Sequence, residues 1–439
     1  MKVTKLRGKA RLAVKYSTAS INVLEGSVRS GKTIGSLLDW ADFIRHGPAG
    51  NLLMAGRTER TLINNLLMPM QEIYGADRVV IGDGTATIFG RTVLLVGANN
   101  EQARTKIQGL TLAGAYCDEV ATMPESFWNM LVTRMSVEGS RIIATCNPEG
   151  PRHWFKRHWL DRAKLWVDDA GKFHDRRREF RQLDDDDAAR PLDLHRFTFT
   201  LDDNAHNLPP GYISSVKASY SGVFYLRMIR GLWALADGVI YESFDPGKDV
   251  VAYDQIPPIT RLLSLGIDYG TTNPTAGILL GLGADGRLYA LDEWSPPRGT
   301  DAQLSASLTE WMNPTPAEEG APAPKSRVPE WVYVDPAAAS FKLQLFEDGT
   351  RATDATNDVL DGIRAVSSLL STGQLLITDR CPKLADEIPG YMWDPKASED
   401  GTDKPIKQDD HFCDGLRYAV NSSRAAWYSS LAKPIPTAA

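Results

Sequence analysis

Between Gly26 and Thr33 the chain reads GSVRSGKT, which satisfies G-x-x-x-x-G-K-[ST] at every fixed position. These residue types suit polyphosphate chemistry. Gly26 and Gly31 permit a backbone bend that aims successive N–H groups, through Ser27, Val28, Arg29 and Ser30, at phosphate oxygens. Lys32 then reaches the β- and γ-phosphates, and the Thr33 hydroxyl binds Mg²⁺. Arg29 offers a guanidinium either to a transferring phosphoryl group or to a carboxylate such as Glu119. The competing reading is a plain glycine-rich turn. Context speaks against it, because Ile21-Asn22-Val23-Leu24 reads as a strand and Ile34 to Trp40 as a helix whose start carries partial positive charge.

A second set of groups follows. Gly114-Ala115-Tyr116-Cys117 is a small, apolar strand that ends in Asp118-Glu119. A phosphate-loop ATPase needs two carboxylates there, the first for the Mg²⁺ shell and the second to orient the attacking water. Arg141 to Pro148 is a further strand, and Thr145 and Asn147 at its end face the γ-phosphate if ligands lie beyond the carboxyl ends of the strands. A strand running into an Asn-Pro turn accounts for that stretch equally well. Arg104, Lys106 and Arg134 flank the Asp-Glu strand as candidates for an arginine finger reaching a neighbouring subunit's nucleotide, against the alternative of solvated surface cations. Residues 151–159 interleave basic and aromatic side chains; an amphipathic helix with core tryptophans is preferred to a nucleic-acid stacking surface.

A third set lies in the second half. Asp268 stands within a strand-like run, Leu262 to Gly270, Asp335 at the end of another, Trp331 to Pro336, and Asp414 lies on a helix beginning near Asp409. A carboxylate on a buried strand is costly unless compensated. Three of them, from two strands and a helix, suit two divalent ions about 4 Å apart, Mg²⁺ or Mn²⁺, acting on a phosphodiester. His411 shares a helix face with Asp414, and serves either as a ligand or as a cap or orienting group. Each aspartate taken singly also suits a turn or a cap.

The elements that must position these groups follow a simple pattern. Apolar strands, including Asn51 to Gly56, Thr85 to Phe89 and Thr92 to Gly97, alternate with helices such as Thr61 to Tyr74, which predicts an α/β fold with a mostly parallel sheet. Opposed charge blocks between Asp161 and Arg190 read as an exposed insertion or solvated helix carrying no site. Ile213 to Arg230 reads as one helix. Proline and glycine cluster near 245–260, so the expected division is 1–200, a connector or lid at 201–255, and 256–439. The 439 residues are 43% hydrophobic and 24% charged, typical of globular domains. A net charge of −6 disfavours indiscriminate coating of nucleic acid while leaving room for a local basic track. The four cysteines, at 117, 146, 381 and 413, show no C-x-x-C pairing, the first residues, MKVTKLRGKARLAVKYS, lack the apolar core of a signal peptide, and no uncharged apolar run reaches membrane length; a reduced, cytoplasmic protein is expected.

The ordered series GSVRSGKT, AYCDEV, IIATCNP, GLWALADGVIYESF, SLGIDYGTTNPTA, VYVDPAAASF and DDHFCDGLRYAV resembles the large terminase subunit of tailed double-stranded DNA bacteriophages, over nearly the whole chain. The resemblance implies an N-terminal P-loop ATPase domain of the ASCE/RecA-like kind followed by an RNase H-like α/β nuclease domain. It implies a motor that drives viral DNA through the portal protein of an empty procapsid, using ATP with Mg²⁺, and cuts concatemeric DNA at a Mg²⁺ or Mn²⁺ site. Lys32, Thr33 and Asp118 match nucleotide and metal contacts, Glu119 the catalytic carboxylate, and Thr145, Cys146 and Asn147 the coupling segment. Asp268, Asp335 and Asp414 match the nuclease ligands. Tyr16 stands nearest the family's adenine contact, while Gln108-Gly109 departs from an Arg-Gly common in the family. Implied partners are double-stranded DNA, the small terminase subunit, the portal, and copies of itself in a ring, a pentamer while packaging and allowing a monomer in solution, with no membrane. The expected location is the host cytoplasm during assembly, not the mature virion. The alternative from another class is a nucleic-acid translocase or helicase whose second half binds DNA without cutting; a third is an assembly protein with a structural ATP site.

Overall fold

Apolar runs with no polar alternation call for strands covered on both faces, and Ile21–Gly26 (β1), Leu112–Cys117 (β6) and, but for one end residue, Arg141–Cys146 (β7) are buried throughout. The remaining strands of the first sheet are Asn51–Gly56 (β2), Val79–Ile81 (β3), Thr85–Ile88 (β4), Arg91–Gly97 (β5), Ala163–Val167 (β8), Phe173–Asp175 (β9) and Leu192–Phe199 (β10). Their order is β3-β4-β5-β2-β6-β7-β1-β10-β8-β9. Pairing is parallel from β5 to β8 and antiparallel at the two margins. This computed structural model describes residues 6–184, 187, 189–270, 273–314 and 326–431.

Contacts divide the chain into one unit of Met1–Ile213, Leu226–Leu235 and Glu399–Thr402, and a second of Ser214–Tyr225, Ala236–Ser398 and Asp403–Ala439. In the first, register brings Glu25 opposite both Cys146 and Thr198 and Gly26 opposite Phe199. The carboxyl ends of β1, β7 and β10 are therefore level, and the loops leaving them converge on one edge.

Two sequence expectations are corrected here. The charged stretch after Asp161 is not only an exposed insertion: Ala163, Leu165 and Val167 are buried, and β8 pairs with β10 while β9 pairs with β8. The intervening Lys164 and the charged flanks mask a period-two strand. The Arg177–Gln182 helix buries no residue and fits the solvated reading. The single helix expected over 213–230 is broken, with Tyr212–Ala218 helical and a new turn starting at Gly222, whose φ of 52° no continuous helix contains.

The second unit holds Val250–Val251 (β11), Ile259–Asp268 (β12), Ala276–Gly283 (β13), Leu288–Trp294 (β14), Trp331–Val334 (β15), Ala352–Asp354 (β16) and Leu375–Thr378 (β17), ordered β11-β17-β14-β13-β12-β15-β16. β12, β13 and β14 form an antiparallel meander, and β15 lies parallel to β12. The His411–Ser422 helix crosses this sheet where Gly266 meets Gly415. A Cβ on Gly266 would sit 2.2 Å from the Gly415 carbonyl oxygen, so only glycine admits the crossing. All four cysteines are buried and unpaired.

Candidate functional site

Gly26 adopts φ 127°, and a Cβ there would lie 1.9 Å from the Phe199 carbonyl oxygen; Gly31 adopts φ 88°. Glycine at 26 is thus required twice over, by dihedral and by space. The turn does not aim all its N–H groups outward, as the motif suggested. Ser27 N–H donates to Phe199 O (3.0 Å) and Val28 N–H to Met228 O (2.8 Å), so any anion cradle begins after Val28. Lys32 starts the Lys32–His46 helix and is folded back, Nζ donating to the carbonyls of Gly26 (3.0 Å) and Ser27 (2.6 Å) and to Asn147 Oδ1 (3.0 Å). Burial lowers the Lys32 pKa, an effect opposed by Glu119.

Asn147 also meets Glu119: its backbone N–H donates to Oε2 and its amide Nδ2 to Oε1, each at 3.2 Å. One asparagine thus spans the lysine of the phosphate loop and the second carboxylate of the Asp-Glu pair. Thr145, two residues earlier, makes the parallel link. Its hydroxyl donates to Asp118 Oδ1 (2.7 Å) and accepts from the Glu119 N–H (3.2 Å). Burial raises both carboxylates, Glu119 to about 7, with the Lys32 ammonium pulling the other way. Glu119 itself sits at φ 54°, a left-handed conformation held by these contacts.

Other singled-out residues lie apart from this group. Arg29 is exposed with φ 54°, its carbonyl accepting from Asn204 Nδ2 (2.8 Å). Cys146 is fully buried in β7, with its thiol pushed up by burial. The Tyr16 ring packs edge-on against Phe173 at 5.2 Å, beside the cluster of Leu24, Phe197 and Phe199. Arg104 and Lys106 are exposed on the Glu101–Ile107 turn, Lys106 donating to Gly97 O (3.0 Å), and Arg134 donates to Thr133 Oγ1. Residues 154–158 form a helix; Phe155 is buried, and Trp154 and Trp159 pack on the core.

In the second unit Asp268, Asp335 and Asp414 line one open cleft of about 850 Å³. Asp414, nearly buried, accepts from Lys407 Nζ on Oδ2 (2.8 Å) and from Arg417 Nε on Oδ1 (3.1 Å). Lys407 also pairs with Asp410 (2.9 Å). Asp268 Oδ2 is met by His411 Nδ1 at 2.9 Å, so the contact His411 makes is to an aspartate. Burial raises Asp268 against the pull of His411, and the hydrogen bond that the His411 ring donates to Asp268 raises His411 in turn. Among the described residues no three His, Cys, Asp or Glu side chains are gathered closely enough to hold a metal ion as they stand. The donor set nevertheless suits a hard divalent cation, and the Lys407 ammonium occupies Oδ2 of Asp414.

Several partners had no signal in the sequence reading. Glu25, fully buried, accepts from Arg196 Nε and Thr198 Oγ1 on one oxygen and from Trp233 Nε1 on the other. The one charge in strand β1, directly before the phosphate loop, marks Glu25 itself but not its donors. Glu387 accepts from the Cys413 N–H at 2.6 Å and so caps the helix bearing Asp414. No helix among the described residues is long and apolar enough to cross a membrane.

Residues 23–246 match the family described as terminase large subunit, T4likevirus-type, N-terminal. The large terminase of a thermophilic bacteriophage superposes with a TM-score of 0.79 and 33% identity, covering 95% of this chain and 99% of that one. The same phage protein in complex with ADP gives 0.78 and 33%, over 95% and 99%. In complex with ATP-gamma-S it gives 0.77 and 33%, over 94% and 98%. The comparison with curated proteins finds no match.

Proposed function

This chain belongs to the family of bacteriophage large terminase subunits, and from that premise we propose that it hydrolyses ATP to drive double-stranded DNA into a procapsid and cuts that DNA in its second unit. The observation that carries the first activity is the Lys32–Asn147–Glu119 chain. Supporting it, the thermophilic phage relative was solved with ADP and with ATP-gamma-S. On nucleotide arrival Lys32 exchanges its loop carbonyls for β- and γ-phosphate oxygens. Thr33 and Asp118 would hold the Mg²⁺ that comes with ATP. Glu119 orients and deprotonates the attacking water, and Asn147 carries the change at Lys32 to Glu119, with Thr145 and Cys146 completing the coupling segment. Arg29, exposed at the loop, approaches the transferring phosphate; Tyr16 is the candidate for the base. Arg104, Lys106 and Arg134 are the cations available to a neighbouring copy in a ring, a pentamer while packaging. The test is Glu119→Gln. It should cut turnover at least a hundredfold and leave nucleotide affinity within about threefold; retained turnover removes Glu119 from its role.

For cutting, Asp268, Asp335 and Asp414 would be the ligands, and His411 would orient Asp268 or join them. Divalent ions bound there would supply an activated water and a stabilised leaving oxygen. Lys407 must leave Asp414 for that to happen, and Arg417 keeps the carboxylate aimed. The small terminase subunit and the portal are the expected partners, in the host cytoplasm. The rival reading, a translocase whose second half grips DNA uncut, draws support from the two cations on Asp414. Mn²⁺-dependent nicking of a plasmid by the full chain, lost in Asp335→Ala, separates the two.

A further inference from the structure

Glu25 is the residue before Gly26 and is 0% exposed. A carboxylate so placed must be met by donors, and three meet it. Arg196 and Thr198 come from the neighbouring strand β10, but the donor on Oε2 is the Trp233 indole, 208 positions away in sequence. The segment bearing Trp233 has a fixed shape of its own. Arg227, 1% exposed, donates to Ala234 O through Nε (2.9 Å) and Nη2 (2.5 Å), and Leu232 N–H donates to Leu226 O (3.0 Å), closing residues 226–234 into a tight turn. That turn lies against the phosphate loop. Met228 O takes the Val28 N–H, and Gly231, at φ 69°, leaves its missing Cβ 3.1 Å from Phe199 O and 3.2 Å from Ser27 N.

We propose that Trp233 and Glu25 are a positioning pair for the nucleotide: the indole N–H holds the carboxylate, and the carboxylate holds the first peptide of the phosphate loop. The inference rests on the ATP-binding reading above. The loop has no slack at this point, since Gly26 is in contact with the Phe199 carbonyl on one side and Ser27 and Val28 have already committed their N–H groups. A carboxylate oxygen left without its donor in so dry a place turns to find another, and the Glu25–Gly26 peptide turns with it. The N–H groups beyond Val28, which must converge on phosphate within a few tenths of an ångström, then diverge. The hydrogen bonds that hold the water-activating pair Glu119 and Asn147 run to each other, to Lys32 and to Thr145. Loss of the contact therefore acts on nucleotide affinity rather than on the chemical step.

The experiment uses the full chain and a fluorescent ADP analogue with Mg²⁺. Trp233→Phe removes the N–H and keeps an aromatic ring; Glu25→Gln keeps the shape and removes the charge. Each single variant should weaken nucleotide binding about tenfold and raise KM for ATP by a similar factor, with kcat changed less than threefold. The double variant should be no worse than about twice either single one, because both changes break one contact. Nucleotide affinity within twofold of wild type in both singles overturns the proposal, as does a fall in kcat without a rise in KM, or a double variant a hundredfold weaker. If Trp233→Phe does not fold, Glu25→Gln decides by the same twofold limit. Failure of the wild-type chain to bind the analogue is a different result: it removes the ATP-binding reading itself, and the pair with it.

Discussion

Asn147 donates to Glu119 twice, from its backbone N–H to Oε2 and from its side-chain amide to Oε1, both at 3.2 Å. The same amide group accepts from Lys32 on its oxygen, so the carboxylate and the phosphate-loop lysine are held by opposite ends of one side chain. Asn147→Ala should lower ATP turnover about ten- to a hundredfold through misplacement of Glu119, with a smaller effect on nucleotide affinity. Steady-state kinetics beside an ADP titration measures both; unchanged kcat would leave Asn147 a turn residue only.

Asp335 and the phosphate-loop groups belong to different units, each built on its own sheet. Asp335→Ala should abolish Mn²⁺-dependent DNA nicking and leave ATP turnover within twofold. Lys407→Met, which frees Oδ2 of Asp414, should tighten Mn²⁺ binding measured by calorimetry. Weaker Mn²⁺ binding in that variant would mean that Lys407 supports the site rather than competes for it.

Asp39 is 5% exposed, its Oδ2 has no hydrogen-bond partner, and the nearest cation, Arg141, stands 3.9 Å away with Asp42 adding like charge. Burial lifts its pKa from 3.8 to about 6. The folded chain therefore holds this proton more tightly than the unfolded one, and stability falls as pH rises from about 4 to 6 and stays reduced above. Asp39→Asn should stabilise the protein at pH 8 by about 2 to 3 kcal/mol and make no difference near pH 4. Chemical denaturation at the two pH values tests it.

Gly26→Ala combines a forbidden φ with a Cβ 1.9 Å from a carbonyl oxygen. A loss of about 3 kcal/mol or more is expected, read as a lower thermal midpoint together with lost nucleotide binding. A variant as stable as wild type would show that β1 and β10 separate more easily than their register suggests.

The phosphate loop, the Asp-Glu strand end and the strand or helix positions of the three later aspartates were legible because each lies in a short stretch whose residue types state their own backbone and polarity requirements. Strand β8 was not, because charged neighbours at Lys164 and in 176–181 drown a short alternation of buried residues, and β9 buries no residue at all, so its three residues carry no apolar signal. Nor could the letters say whether His411 would ligate, cap or orient; that depended on where β12 ends relative to the His411–Ser422 helix, which in the fold brings Nδ1 to Asp268.

Local dihedral preference and apolar periodicity are short-range properties, so the linear chain already determined which segments would be loop, strand and helix around the phosphate-loop motif. The partners of buried charges are long-range. Trp233 on Glu25, Thr145 on Asp118 and Lys407 with Arg417 on Asp414 were decided by strand order, register and close packing, because a desolvated carboxylate takes whichever donor the assembled fold brings within reach.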